Sequence, residues 1–153
     1  MKMISRSTVF ALLGCAACIS LSSAAQAARF QQYLNGACVG LVCTINFSVV
    51  PAGKTLDVSN FSCYLRVSGV DSGKSDVFAL QLLQIKAGGG IGNAVTADLQ
   101  FVDSITTPSE RVYQSNNTIF AFATAGQRFR AYAELKAGTF SQFACHISGQ
   151  LLP

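Results

Sequence analysis

The strongest constraint in this chain is a period of two. From Phe61 onward, Phe61, Cys63, Leu65 and Val67 fall on one side, and Ser62, Tyr64, Arg66 and Ser68 fall on the other. Residues 128–136 repeat the pattern: Phe129, Ala131, Ala133 and Leu135 alternate with Arg128, Arg130, Tyr132, Glu134 and Lys136. Alternation of this kind puts one apolar face on a strand. The alanines of 128–136 also permit a helix, but a helix would scatter the charges around its cylinder, so a strand is preferred. Residues 43–49 alternate too, with Cys43, Ile45, Phe47 and Val49 opposite Thr44, Asn46 and Ser48. Residues 95–101 alternate in the same way, and the final run places Phe143, Cys145, Ile147 and Leu151 together. Residues 77–87 and 118–124 are apolar on both faces, as interior strands are. Between Val58 and Phe61 the phase slips by one, which predicts a bulge or bend at Ser59-Asn60.

Turn-forming residues separate these runs at 51–54, 68–76, 87–93, 107–110, 124–127 and 136–138. No repeat or linker interrupts them. Short strands divided by such turns predict an all-β chain, an antiparallel β-sandwich or jelly roll of about seven to nine strands. A barrel is the competing architecture.

The first 27 residues read as a signal peptide. Lys2 and Arg6 precede an apolar run from Thr8 to Leu21, and Ala25 and Ala27 fit a small-residue cleavage site. The run is short for a membrane anchor, which needs roughly 20 apolar residues. Cleavage after Ala27 leaves residues 28–153 as a single β-sandwich domain, secreted or periplasmic. The alternative is a lipid-anchored envelope protein, because Leu12–Cys15 resembles a lipobox with Cys15 as the acylated residue. The apolar stretch beyond Cys15 and the downstream site favour cleavage after Ala27. Membrane association is expected only with lipidation at Cys15.

Processing also sets the cysteine count. Cys15 and Cys18 depart with the signal, while Cys38, Cys43, Cys63 and Cys145 remain. An even number in an oxidising compartment predicts two disulfides. The preferred pairing is Cys38–Cys43 with Cys63–Cys145: Gly40 permits a turn in the short loop, and the other two cysteines sit mid-row on inward faces. Cys43–Cys63 with Cys38–Cys145 stays open, because a hairpin around 51–54 would bring Cys43 beside Cys63.

Losing Lys2 and Arg6 reduces eleven basic residues to nine, against seven acidic ones, for a mature net charge of +2. That balance, without a basic stripe, argues against nucleic acid as a partner.

Chemical motifs are weak throughout. Residues 71–75, Asp-Ser-Gly-Lys-Ser, resemble the end of a phosphate loop, but position 68 is serine where glycine is required. Residues 88–93 fail the dinucleotide fingerprint at Asn93, so no cofactor is expected and a mobile connection is the reading for this stretch. Cys38 and Cys43 are too far apart for a zinc knuckle, and one histidine cannot build an imidazole cluster, so no metal site is expected. Asp71 and Asp76 flank one loop and leave a weak calcium site as the only metal alternative. The single histidine, His146, adjoins Cys145. Neighbours on a strand project to opposite faces, so a Cys145–His146 catalytic dyad is disfavoured. No nucleophile-elbow pattern offers His146 a serine partner in sequence.

Two outward groups remain as a candidate binding face: Tyr64 with Arg66, and Tyr132 with Arg128 and Arg130. Sandwiches bind glycans through exposed aromatics backed by polar groups, although tryptophan is absent here.

Val50–Leu56, with its VPAGK-x-L turn, and Ser148–Leu151, with its SG-x-L closing strand, resemble a group of small exported bacterial β-sandwich proteins. The resemblance implies a bacterial source and the sandwich fold. It transfers no functional residue. The expectation is a non-catalytic binding module for a glycan or cell-surface partner. A structural or adhesive envelope subunit is the alternative, and a small secreted hydrolase is the second alternative.

Overall fold

Alternation resolves into two facing sheets. The computed structural model describes residues 27–69, 77–102 and 110–153. The signal region, the 71–75 motif, and Asp71, Asp76 and Asp103 lie outside the described residues. The strands are β1 (Ala28–Asn35), β2 (Ala37–Val39), β3 (Val42–Asn46), β4 (Thr55–Ser68), β5 (Val77–Ile85), β6 (Ile91–Thr96), β7 (Gln100–Val102), β8 (Glu110–Thr124), β9 (Arg128–Leu135) and β10 (Thr139–Leu152). One sheet runs β1-β10-β4-β8-β7, the other β2-β3-β9-β5-β6, and every pairing is antiparallel. We call them sheets A and B. The fold is the expected disulfide-stabilised sandwich, with ten strands.

The apolar rows of both sheets meet in one core. Phe61, Leu65, Val67, Phe143 and Ile147 come from sheet A; Cys43, Ile45, Leu80, Leu82, Phe129, Ala131 and Ala133 come from sheet B. At each flank the chain steps from the edge of one sheet to the edge of the other. Gly36 does this between β1 and β2, where its N–H donates to the Phe143 carbonyl. Residues 97–99 do it between β6 and β7, held by Ala97 N–H to Leu80 O and Asp98 N–H to the Asn117 side chain. These steps give the sandwich some of the closure of a barrel.

Three expectations change here. Residues 95–101, one strand by alternation, split into the end of β6, a crossing, and β7 in the opposite sheet. The stretch at 88–93 is a connection only as far as Gly90. Lys86 N–H closes a turn on Gly90 O, and Ile91–Asn93 already belong to β6, where Ile91 pairs with Ile85. The turn at 51–54 forms, with Lys54 N–H donating to Pro51 O and Gly53 at φ 70°. It is not a hairpin, however: β3 lies in sheet B and β4 in sheet A. That placement puts Cys43 and Cys63 in different sheets and removes the alternative pairing.

The bonded pairs are Cys38–Cys43 and Cys63–Cys145. Each joins residues directly opposite in register, across β2/β3 and across β4/β10. The short pair closes a hairpin through Gly40, at φ 60°.

The predicted bulge lies at Ser59. It opposes no residue of β10, since Asn60 faces Ser148 and Val58 faces Gly149. The strands press together at this point. A Cβ on Gly149 would run into the Asp57 carbonyl oxygen, so only glycine fits.

Disulfide removal should separate the two bonds. In the chain-entropy account, losing the bond across 82 residues of sequence lowers stability by about 4.5 kcal/mol, and losing the one across five by about 2 kcal/mol. Urea unfolding of Cys63→Ala/Cys145→Ala and Cys38→Ala/Cys43→Ala variants measures both. Equal losses would contradict the dominance of the β4/β10 bond.

Candidate functional site

Side chains directly opposite in an antiparallel pair share a face, so the register gives the composition of each outer surface. On sheet B, the outward rows contain Asn46, Arg130, Leu83 and Ala94, then Thr44, Tyr132, Gln81 and Thr96. Arg128 lies opposite Ile85. Leu83 and Ile85 are buried although they belong to this outer side. Arginine stems are suited to covering such residues while the guanidinium stays wet. The polar ends are engaged within the protein: Arg130 Nε donates to Asn46 Oδ1 at 2.7 Å, and the Tyr132 hydroxyl donates to Glu134 Oε2 at 2.7 Å. Arg130 and Tyr132 are thus tied within the protein, and Arg128 is half-buried one row away.

Tyr64 and Arg66 belong to the outer side of sheet A, on the opposite side of the sandwich. The five residues singled out from sequence therefore do not make one face. Around Tyr64 the rows are different in kind. One crosses the sheet as Tyr33, His146, Ser62 and Asn116, and the next as Asn35, Ala144, Tyr64, Gln114 and Gln100. Small side chains lie at the centre and larger ones surround them. Ala144 is only 1% exposed despite pointing outward. The result is an open hollow of about 580 Å³. Arg66 sits one row beyond Tyr64 and does not line it.

The hollow offers neutral hydrogen-bonding groups: two phenols, two primary amides on β8 and one on each strand beside it, two serines and an imidazole. Tyr33 is 61% exposed and presents its ring at the β1 edge. Asn60 Nδ2 donates to Asn116 Oδ1 at 2.9 Å. That bond orients both amides and leaves Asn60 Oδ1 as an acceptor and Asn116 Nδ2 as a donor.

His146 faces outward, away from Cys145, as alternation requires; Cys145 is bonded in the core. Ser62 stands directly across from His146, a juxtaposition that the sequence alone did not offer. A hydrolytic serine also needs a group to orient its base and free donors for an oxyanion. Among the described residues, no Asp or Glu lines the hollow.

Among the described residues, no three His, Cys, Asp or Glu side chains gather in one place, and no helix is long and apolar enough to cross a membrane. Comparisons with protein-family models, curated proteins and solved structures find no match to this chain.

The engaged surface of sheet B has a measurable signature. The hydrogen bond to Glu134, then burial, then the carboxylate charge raise the Tyr132 phenol above its ordinary 10.0. A raised folded value means the neutral phenol is favoured by the fold, so its contribution is complete below pH 10 and fades as pH climbs through the folded value. Glu134→Gln should therefore let Tyr132 ionise at lower pH than in the wild type, as followed by its Cζ resonance. An unchanged titration would contradict the contact.

Proposed function

We propose that this is an exported, non-catalytic binding module whose ligand is a cell-surface glycan held in the hollow on sheet A. The single observation that carries the reading is the composition of that hollow: Tyr33 and Tyr64 beside a ring of neutral amide, hydroxyl and imidazole groups. Sugars present apolar ring faces for aromatic contact and hydroxyls that donate and accept at once. The Asn60 acceptor and the Asn116 donor suit sugar hydroxyls. Export to the periplasm or the exterior is supported by two disulfides, which persist in oxidising compartments. The leader-like first 27 residues support it as well.

Glycan-array binding followed by titration tests the assignment. Tyr33→Ala and Tyr64→Ala should each weaken the strongest hit by about tenfold, the order expected for one aromatic contact with its burial. Arg130→Ala with Tyr132→Ala should leave it unchanged, because that pair is on the far side. The reverse result removes sheet A as the binding face.

A structural or adhesive subunit is the second reading, favoured by one observation. Among the described residues, no further strand pairs with the outer edge of β8 beyond Gln114, and Phe120 and Phe122 are 89% and 62% exposed there. Residues 114–124 carry no charge, the usual guard against edge pairing. This reading predicts concentration-dependent oligomers in sedimentation velocity that Phe120→Lys disperses. A monomer at every concentration contradicts it.

A further inference from the structure

The hollow around Tyr64 does not end at His146. A second hollow, of about 460 Å³, adjoins it along the same strands. On β10 the outward residues pass from Ala144 and His146 in the first to Ser148 and Gln150 in the second. On β1 they pass from Tyr33 to Gln31 and Arg29. No outward position intervenes on either strand. The join coincides with the bulge, where Ser59 Oγ donates to the Ser148 carbonyl at 3.4 Å and Gly149 presses against β4. Bulges bend a strand and re-aim its side chains. Here the bend lies between two hollows on one face, which follow one another along β1 and β10 and together are called the trough.

The trough follows β10 from Ala144 to Gln150, about 20 Å at strand rise. That is too long for one or two sugar rings. Its charge is confined to one end. Arg29 is in register with Gln150, and Gln150 with Asp57, so a cation and an anion occupy one outward row. Asp57 itself does not line either hollow. The body of the trough carries amides, hydroxyls and the imidazole.

We propose that the ligand is a linear, uncharged oligosaccharide of several units, lying along β10 and filling both hollows at once. This rests on the glycan reading above and specifies its size, direction and charge. Tyr33 and Tyr64 grip the units over the first hollow, and Gln31, Ser148 and Gln150 contact those over the second. A single sugar reaches only one hollow. A polyanion gains nothing along the neutral floor.

The test uses linear oligosaccharides of one to six units, from neutral and uronic acid series, on an array and then in calorimetric titration with the whole exported protein. Ser148→Phe blocks the second hollow, and Gln150→Ala trims it should the larger side chain disturb folding. Affinity for the neutral series should rise at least tenfold between the disaccharide and the longer chains. Both variants should erase that rise while leaving disaccharide affinity unchanged. Equal affinity for short and long chains overturns the proposal, as does a preference for uronate chains or indifference to both variants. Absence of any binding overturns the glycan reading itself and this inference with it.

Discussion

The register between β4 and β10 organises the molecule. These are the two long central strands of sheet A, paired along nearly their whole length and bonded through Cys63 and Cys145 at directly opposed positions. A slip by one residue would turn either Phe61 and Leu65 of β4 or Phe143 and Ile147 of β10 outward and expose the core. The disulfide forbids that slip at one point. The fit of Gly149 against Asp57 constrains it at another, on the far side of the bulge. With two fixed points and a bend between them, the pair has one available alignment.

The outer surface follows from the same alignment. Once the inward rows are set, Tyr64, Ser62 and Asn60 on β4 must share a side with Ala144, His146 and Ser148 on β10. β1 and β8 add Tyr33 and Asn116 to either flank. The same interaction that closes the core therefore assembles the polar trough. Sheet B, built by the same rules, reaches a different outcome. There Leu83 and Ile85 are buried on the outer side, and Arg130 and Tyr132 have partners within the sheet. Two faces of similar composition differ in whether their polar groups are already engaged.

Much of this was legible because alternation is a local property. The rows of β4, β9 and β10, the bulge at Ser59 and the outward turn of His146 all follow from counting by two. What escaped was non-local. Residues 28–35 have weak alternation, with Gln32 among Phe30 and Leu34, and nothing local marks a strand; β1 is recognisable only once β10 offers an edge. The crossing at 97–99 leaves the alternation of 95–101 unbroken in sequence while moving the chain to the other sheet. Sheet membership likewise decided between the two disulfide pairings. For the site, Tyr64 was found as an outward aromatic, but its company was not, because Tyr33, His146, Asn116 and Gln100 come from four other strands. Arg128, Arg130 and Tyr132 drew attention by charge, and their internal partners are invisible without the fold.

The chain contains a single histidine, and it sits within the trough. Its imidazole resonances therefore report on that face without ambiguity. The decisive measurement is an NMR titration of the folded protein with the linear neutral oligosaccharides of one to six units. The account predicts saturable shifts at His146, Tyr33 and Tyr64 with the longer chains, and none at Tyr132. Shifts confined to Tyr132 and its neighbours, or a His146 signal unmoved by every chain, would contradict it.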